Sequence, residues 1–129
     1  MSTDQIILYA VLAALVALWA VRTLRRRTIP RRNVQQVQGL LSERTPTVLL
    51  DVRTDAERSS SAIKGSHHIP LHRLRSRISE LEKYRKREIV CFCQNGSRSL
   101  TAAAVLRRLG FTASSMDGGM VEWNSARER

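Results

Sequence analysis

The stretch with the greatest capacity for chemistry is EIVCFCQNGSRSLTAAAVLRRLGF, where Cys93 ends an apolar run, CQNGSRS crosses a short polar loop, and an alanine-rich segment follows. The thiolate, not the thiol, is the nucleophile, so the question is what would favour the anion. Asn95 and Gly96 tolerate unusual backbone angles and let successive N–H groups curl inward into an anion-binding nest. The predicted helix beyond the loop offers its positive end. Arg98 brings a permanent cation. These features point to Cys93 as an activated sulfur nucleophile. Cys91, two positions earlier and inside the strand, reads instead as a small core hydrophobe. Residues i and i+2 of one strand share a face at the wrong separation and direction for a disulfide, so both cysteines are expected as free thiols, as in a reducing compartment.

Elements that position such a loop are legible on either side of it. TVLLDV, 47–52, reads as a buried strand after Pro46, and Glu88 to Phe92 as a second. Phe111 to Met116 is a weaker third, followed by the turn DGGM and a short final helix, VEWNSARER. A helix is predicted from Asn33, whose capping box with Gln36 precedes Val34, Val37, Leu40 and Leu41 at helical spacing. Leu71, Leu74, Ile78 and Leu81 form one apolar stripe, which predicts an amphipathic helix. Ser99 to Leu109 is a further helix closed by Gly110. RTDAERSSSAIKGSHHIP, between the first strand and the amphipathic stripe, reads as an irregular connection. Strands alternating with helices predict an α/β fold with a parallel sheet flanked by helices, and ligands bind such sheets outside the carboxyl ends of the strands, where Cys93 falls.

The chain opens differently. Ile6 to Val21 is sixteen residues without a charge or a helix breaker, close to the roughly 20 that span a bilayer. A signal peptide would begin with positive charge and end at small residues. Here the head is MSTD, and six arginines lie between Arg22 and Arg32. An uncleaved single transmembrane helix over 1–24 with a basic juxtamembrane linker over 25–32 is the favoured reading, against a signal peptide or an interfacial helix. The arginines place residues 33–129 in the cytoplasm, at the inner or plasma membrane. The net charge of +11 is thus partly topological. Without RNA-binding motifs or interleaved aromatics it does not point to nucleic acid, and the mildly basic remainder suits small anionic substrates.

Taken together, LLDVRTDAE at 49–57, IKGSHHIPL at 63–71, CQNGSRS at 93–99, AAAVLRRLGF at 102–111 and MDGGMVEW at 116–123 resemble, in order and spacing, a single rhodanese domain. The resemblance spans 33–129 and implies a rhodanese-like sulfurtransferase. Cys93 corresponds to the catalytic sulfur carrier, and Gln94, Asn95, Gly96, Ser97, Arg98 and Ser99 to the substrate-binding loop around it. Asp51 and Arg53 match the family's DVR, preferred here as a structural ion pair, and Asp117, Gly118 and Gly119 match its structural DGG turn. Trp123 is expected to pack the last helix down. The chain departs from the family at Ser61-Ala62, where Gly-His is usual, and at Arg58, where an aromatic is usual.

Four residues separate Cys93 from Arg98, the shorter loop that the resemblance associates with sulfur transfer rather than with phosphatase-like or arsenate-reductase-like relatives. The implied partners are a small anionic sulfur donor such as thiosulfate, a thiophilic acceptor that could be a protein, and the membrane. No cofactor is implied, and His67, His68 and His72 lack the companion ligands of a metal site. The alternative from another class is a membrane-tethered binding module that keeps the fold without the reaction.

Overall fold

The computed structural model describes residues 1–43 and 47–129, so Pro46 lies outside the described residues. Five parallel strands form one sheet: β1 (Arg31–Arg32), β2 (Val48–Asp51), β3 (His67–His68), β4 (Ile89–Phe92) and β5 (Ala113–Met116), in the order β1-β5-β4-β2-β3. The register sets Val48 to Asp51 beside Ile89 to Phe92, and Ile89 to Cys91 beside Ala113 to Ser115. Because alternate residues point to opposite faces, Leu49, Val90 and Phe92 pack on one side with Val34 and Val37 of α2 (Val34–Ser42) and with Met120 and Trp123 of α5 (Gly119–Arg127). Leu50, Ile89, Cys91 and Cys93 face the other side, against Ala102, Ala103 and Leu106 of α4 (Ser97–Arg108) and against Leu74 and Leu81. Two apolar layers thus clamp β4, and the loop after it inherits a rigid base.

Asn33 caps α2 through the reciprocal bonds with Gln36, both 2.8 Å. Three segments differ from the sequence expectation. The connection after β2 contains α3 (Asp55–Ser60), started by a second capping box between Thr54 and Glu57, and then β3. The stripe at 71–84 forms two 3-10 segments, Leu71–Arg73 and Ile78–Tyr84, in place of one α-helix. Tethering explains this: Leu71 N–H bonds Val52 O at 3.1 Å, and Arg77, off helical geometry at φ −112, reaches back to His68 O. Three-residue repeats still turn Leu74 and Leu81 inward. Finally, Arg31 and Arg32, read as the end of a linker, form the edge strand β1 beside Ser115 and Met116.

The chain reaches β1 from α1 (Thr3–Arg27), whose large apolar side chains from Ile6 to Leu24 are exposed. It is a helix long and apolar enough to cross a membrane, by length and composition.

Candidate active site

At the carboxyl edge of the sheet the chain leaves β4, turns through Cys93 to Gly96 and enters α4. The turn depends on Gly96, whose φ of +103 lies in the left-handed region that favours glycine. A side chain there would also press on Gly118 N at 3.2 Å. The loop's outer wall is the start of α5: Met120 N–H donates to Cys93 O at 2.9 Å and Val121 N–H to Gln94 O at 3.2 Å. Gly119, at φ +55, lets that approach happen, since a Cβ would meet the Gln94 carbonyl at 2.7 Å. Asp117 anchors the turn on β1, its N–H on Arg32 O at 2.8 Å and its carboxylate on Arg31 at 2.7 Å.

Inside this frame the sulfur of Cys93 receives Gly96 N–H at 3.1 Å and lies 3.6 Å from Ser99 Oγ. Burial pushes its pKa up, but hydrogen bonds from the Ser99 hydroxyl and from the N–H groups of Ser99, Gly96 and Asn95 outweigh burial and bring it below that of an ordinary thiol. Cys93 is wholly buried, under the loop rather than open at a mouth. The exposed side chain of Asn95 lies across it, Oδ1 4.0 Å from the sulfur and pinned by Ser97 N–H at 3.2 Å and Ser97 Oγ at 2.9 Å. Behind the sulfur, Ser99 Oγ bonds Ser115 Oγ at 2.8 Å and Gly96 O at 3.0 Å.

Arg98 does not sit in the curl as its place in the sequence suggested. Its side chain leaves the first turn of α4 to form a two-pronged ion pair with Glu57, at 2.7 and 2.8 Å. The Arg98 hydrogen bond is the main reason that the Glu57 pKa falls from 4.5 to about 2. Cys93 acts on Arg98 only as a through-space charge. Gln94 turns toward β2, where its Oε1 accepts from Arg53 at 3.4 Å. Asp51 and Arg53, 0% and 1% exposed, pair at 2.9 Å, and Arg53 also donates to the carbonyls of Glu57 and Ser61. Arg58 joins them, donating to Asp51 at 3.3 Å and to Ser66 Oγ at 2.6 Å. It thus ties α3 to the following turn from the position where the family resemblance has an aromatic. His68 Nε2 bonds Arg53 O at 2.8 Å, and His67 Nε2 is 3.4 Å from Glu80.

Two residues of this site escaped the sequence reading. Glu57 was visible only as part of a capping box, T-x-x-E, and its bond to Arg98 spans 41 positions. Ser115 carries no local signal, because only the pairing of β4 with β5 brings it behind the loop.

A parallel α/β domain with a cysteine loop at its carboxyl edge, closed by a Gly-Gly helix start, is a rhodanese-type architecture. Residues 33–126 match the rhodanese-like domain, and the chain belongs to that family. It is 32% identical over 84 residues to a sulfurtransferase of Allochromatium vinosum, covering 64% of this chain and 77% of that one. It is 33% identical over 88 residues to the human thiosulfate:glutathione sulfurtransferase, covering 58% of this chain and 76% of that one. A solved rhodanese-related protein from Thermoplasma volcanium superposes with a TM-score of 0.68 at 27% identity, over 75% of this chain and 92% of that one.

Proposed function

We propose that this protein is a sulfurtransferase that carries a sulfane sulfur as a persulfide on Cys93. The observation that carries the reading is the set of N–H and O–H donors converging on one sulfur whose pKa they lower. In the first step the Cys93 thiolate attacks the outer sulfur of a donor such as thiosulfate. An S–S bond forms to Cys93, the donor's own S–S bond breaks, and sulfite leaves with the electron pair. In the second step an acceptor thiolate attacks the outer sulfur and Cys93 departs as thiolate. The same donors stabilise negative sulfur at the start and end of the cycle, as an oxyanion hole serves oxygen. Ser99 has one proton to give. When it turns from Gly96 O to the thiolate, Ser115 O–H supplies Ser99 Oγ from behind.

The similarity to a thiosulfate:glutathione sulfurtransferase supports thiosulfate as donor and a low-molecular-weight thiol as acceptor. With α1 read as an uncleaved anchor, the domain stands in the cytoplasm. A reporter active only in the cytoplasm, fused after Arg129, then gives signal, and activity of an export-dependent reporter there reverses the orientation. For the chemistry, purified full-length protein treated with thiosulfate gains the mass of one sulfur atom at Cys93 and loses it on addition of a thiol. A second reading, a binding module without turnover, draws on the complete burial of Cys93. Absence of the sulfur adduct decides for it.

A further inference from the structure

A second constellation lies along the flank of α4, where the end of α1 comes against the domain. Between the last turns of α1 and the flank of α4 lies a cavity of about 460 Å³ lined by Arg22 and Arg25 from α1 and by Arg75, Arg107 and Arg108 from the domain. Ile29, 7% exposed, contributes to its wall. Among the described residues no carboxylate lines this cavity, and none of the five arginines has a carboxylate within ion-pair distance. Arg107 gives one hydrogen bond, to Ala113 O at 3.3 Å. Elsewhere Arg53 and Arg58 are matched by Asp51, Arg77 by Glu80, Arg85 by Glu82 and Arg98 by Glu57, while Arg87 and Arg127 stand apart from one another without such a match among the described residues.

Guanidinium groups gathered round a cavity without a counter-charge suit phosphate, whose oxygens accept their planar forks two at a time. The source of the phosphate follows from chain order. Arg22 and Arg25 stand within the first turn after the apolar run ends at Val21, so a spanning α1 holds the cavity at headgroup depth. We infer that this cavity binds the phosphate of an anionic phospholipid headgroup and thereby docks the α4 flank of the domain on the bilayer. The inference rests on the anchor reading of α1. It is independent of the sulfur chemistry, because none of the residues lining the cavity bonds the Cys93 sulfur.

The test uses the full chain in nanodiscs of phosphatidylcholine, with or without phosphatidylglycerol, followed by native mass spectrometry of the lipids retained after release into detergent. The wild type keeps phosphatidylglycerol over phosphatidylcholine by about tenfold or more, and Arg75→Gln/Arg108→Gln reduces that preference to within about twofold. Both side chains are exposed and, among the described residues, neither pairs with a carboxylate, so the variant still inserts, folds and takes up sulfur at Cys93. Equal retention of both lipids by the wild type, or an unchanged preference in the variant, overturns the headgroup site. So does displacement of the lipid by millimolar inorganic phosphate, which makes the cavity a free-anion site. A chain that never enters the nanodisc overturns the anchor reading and the site together, whereas one that inserts without headgroup preference overturns the site alone.

Discussion

The interior of β4 and its carboxyl end each hold a cysteine, and the two make a controlled comparison. Cys91 and Cys93 are both 0% exposed, two residues apart and on the same face. Yet the Cys91 pKa is driven far up, by burial first and then by the nearby charge of Cys93, while the Cys93 pKa is brought down. What differs is the supply of donors. Cys91 sits in register between Leu50 and Ser115, where backbone N–H groups are committed to the sheet. Cys93 lies one step past the strand end, where Gly96 and the start of α4 leave theirs free to point inward. Burial alone makes an inert thiol, and burial with donors makes a nucleophile.

The sharpest way to break this contrast is to replace each cysteine. Cys93→Ser is expected to drop sulfur transfer to background with little change in thermal midpoint, because a hydroxyl has almost no anion at neutral pH. In the wild type, transfer and alkylation of Cys93 should rise with pH and level off below the ordinary thiol range of about 8.5, since acidification through a lowered pKa removes the thiolate. A plateau above that range would remove the distinction between the two thiols.

Next in size is a glycine inserted after Gly96. The donors then no longer converge on one point, so persulfide formation is lost while circular dichroism and the unfolding transition stay native-like. Unchanged turnover would separate reactivity from loop length. Cys91→Ser carries the opposite signature: it keeps most activity and, if its buried hydroxyl finds no partner, costs on the order of 1 to 3 kcal/mol. Denaturant unfolding of this variant beside Cys93→Ser reads both arms. An inactive Cys91→Ser would invert the assignment.

How much of this was visible beforehand differs by element. The three central strands and the cysteine loop were legible because their apolar runs and turn residues are local signals. β1 and β3 were not, being two residues each, Arg31–Arg32 and His67–His68. Such edges take their identity from the neighbouring strand rather than from their own propensity. α3 was lost under a run of serines although Thr54 and Glu57 spelled its capping box. The place of Arg98 was misjudged for a related reason. Sequence put it in the loop, but only the fold brings Glu57 close enough to draw its charge away from the sulfur.

That ion pair yields a smaller test of the same contrast. Glu57 has its folded pKa depressed, so its contribution to stability is present above about 4.5 and is lost as pH falls from 4.5 toward about 2. The pair is about a third exposed, so Glu57→Gln should cost under about 1 kcal/mol near neutral pH. Its kinetic effect should be larger. With Arg98 released, the KM for an anionic donor is expected to fall while kcat changes little, since the groups touching the sulfur are untouched. A fall in kcat instead would mean that the pair holds the loop in shape.

The smallest expected effect concerns access. Asn95 stretches over the buried sulfur and is held there by two bonds from Ser97, so a donor has to move its side chain aside before reaching Cys93. Asn95→Ala removes the cover but leaves Gly96 N–H and Ser99 in place. The rate of Cys93 alkylation by iodoacetamide should then rise about two- to threefold, with an unchanged pH midpoint, because reaction at a covered group scales with the fraction of time it is open. Cys91, enclosed by the sheet and α4, should stay unmodified in the same experiment. A slower reaction, or a midpoint shifted upward, would show Asn95 shaping the donor set through Ser97 rather than covering the sulfur, and the two cysteines would then differ by loop geometry alone.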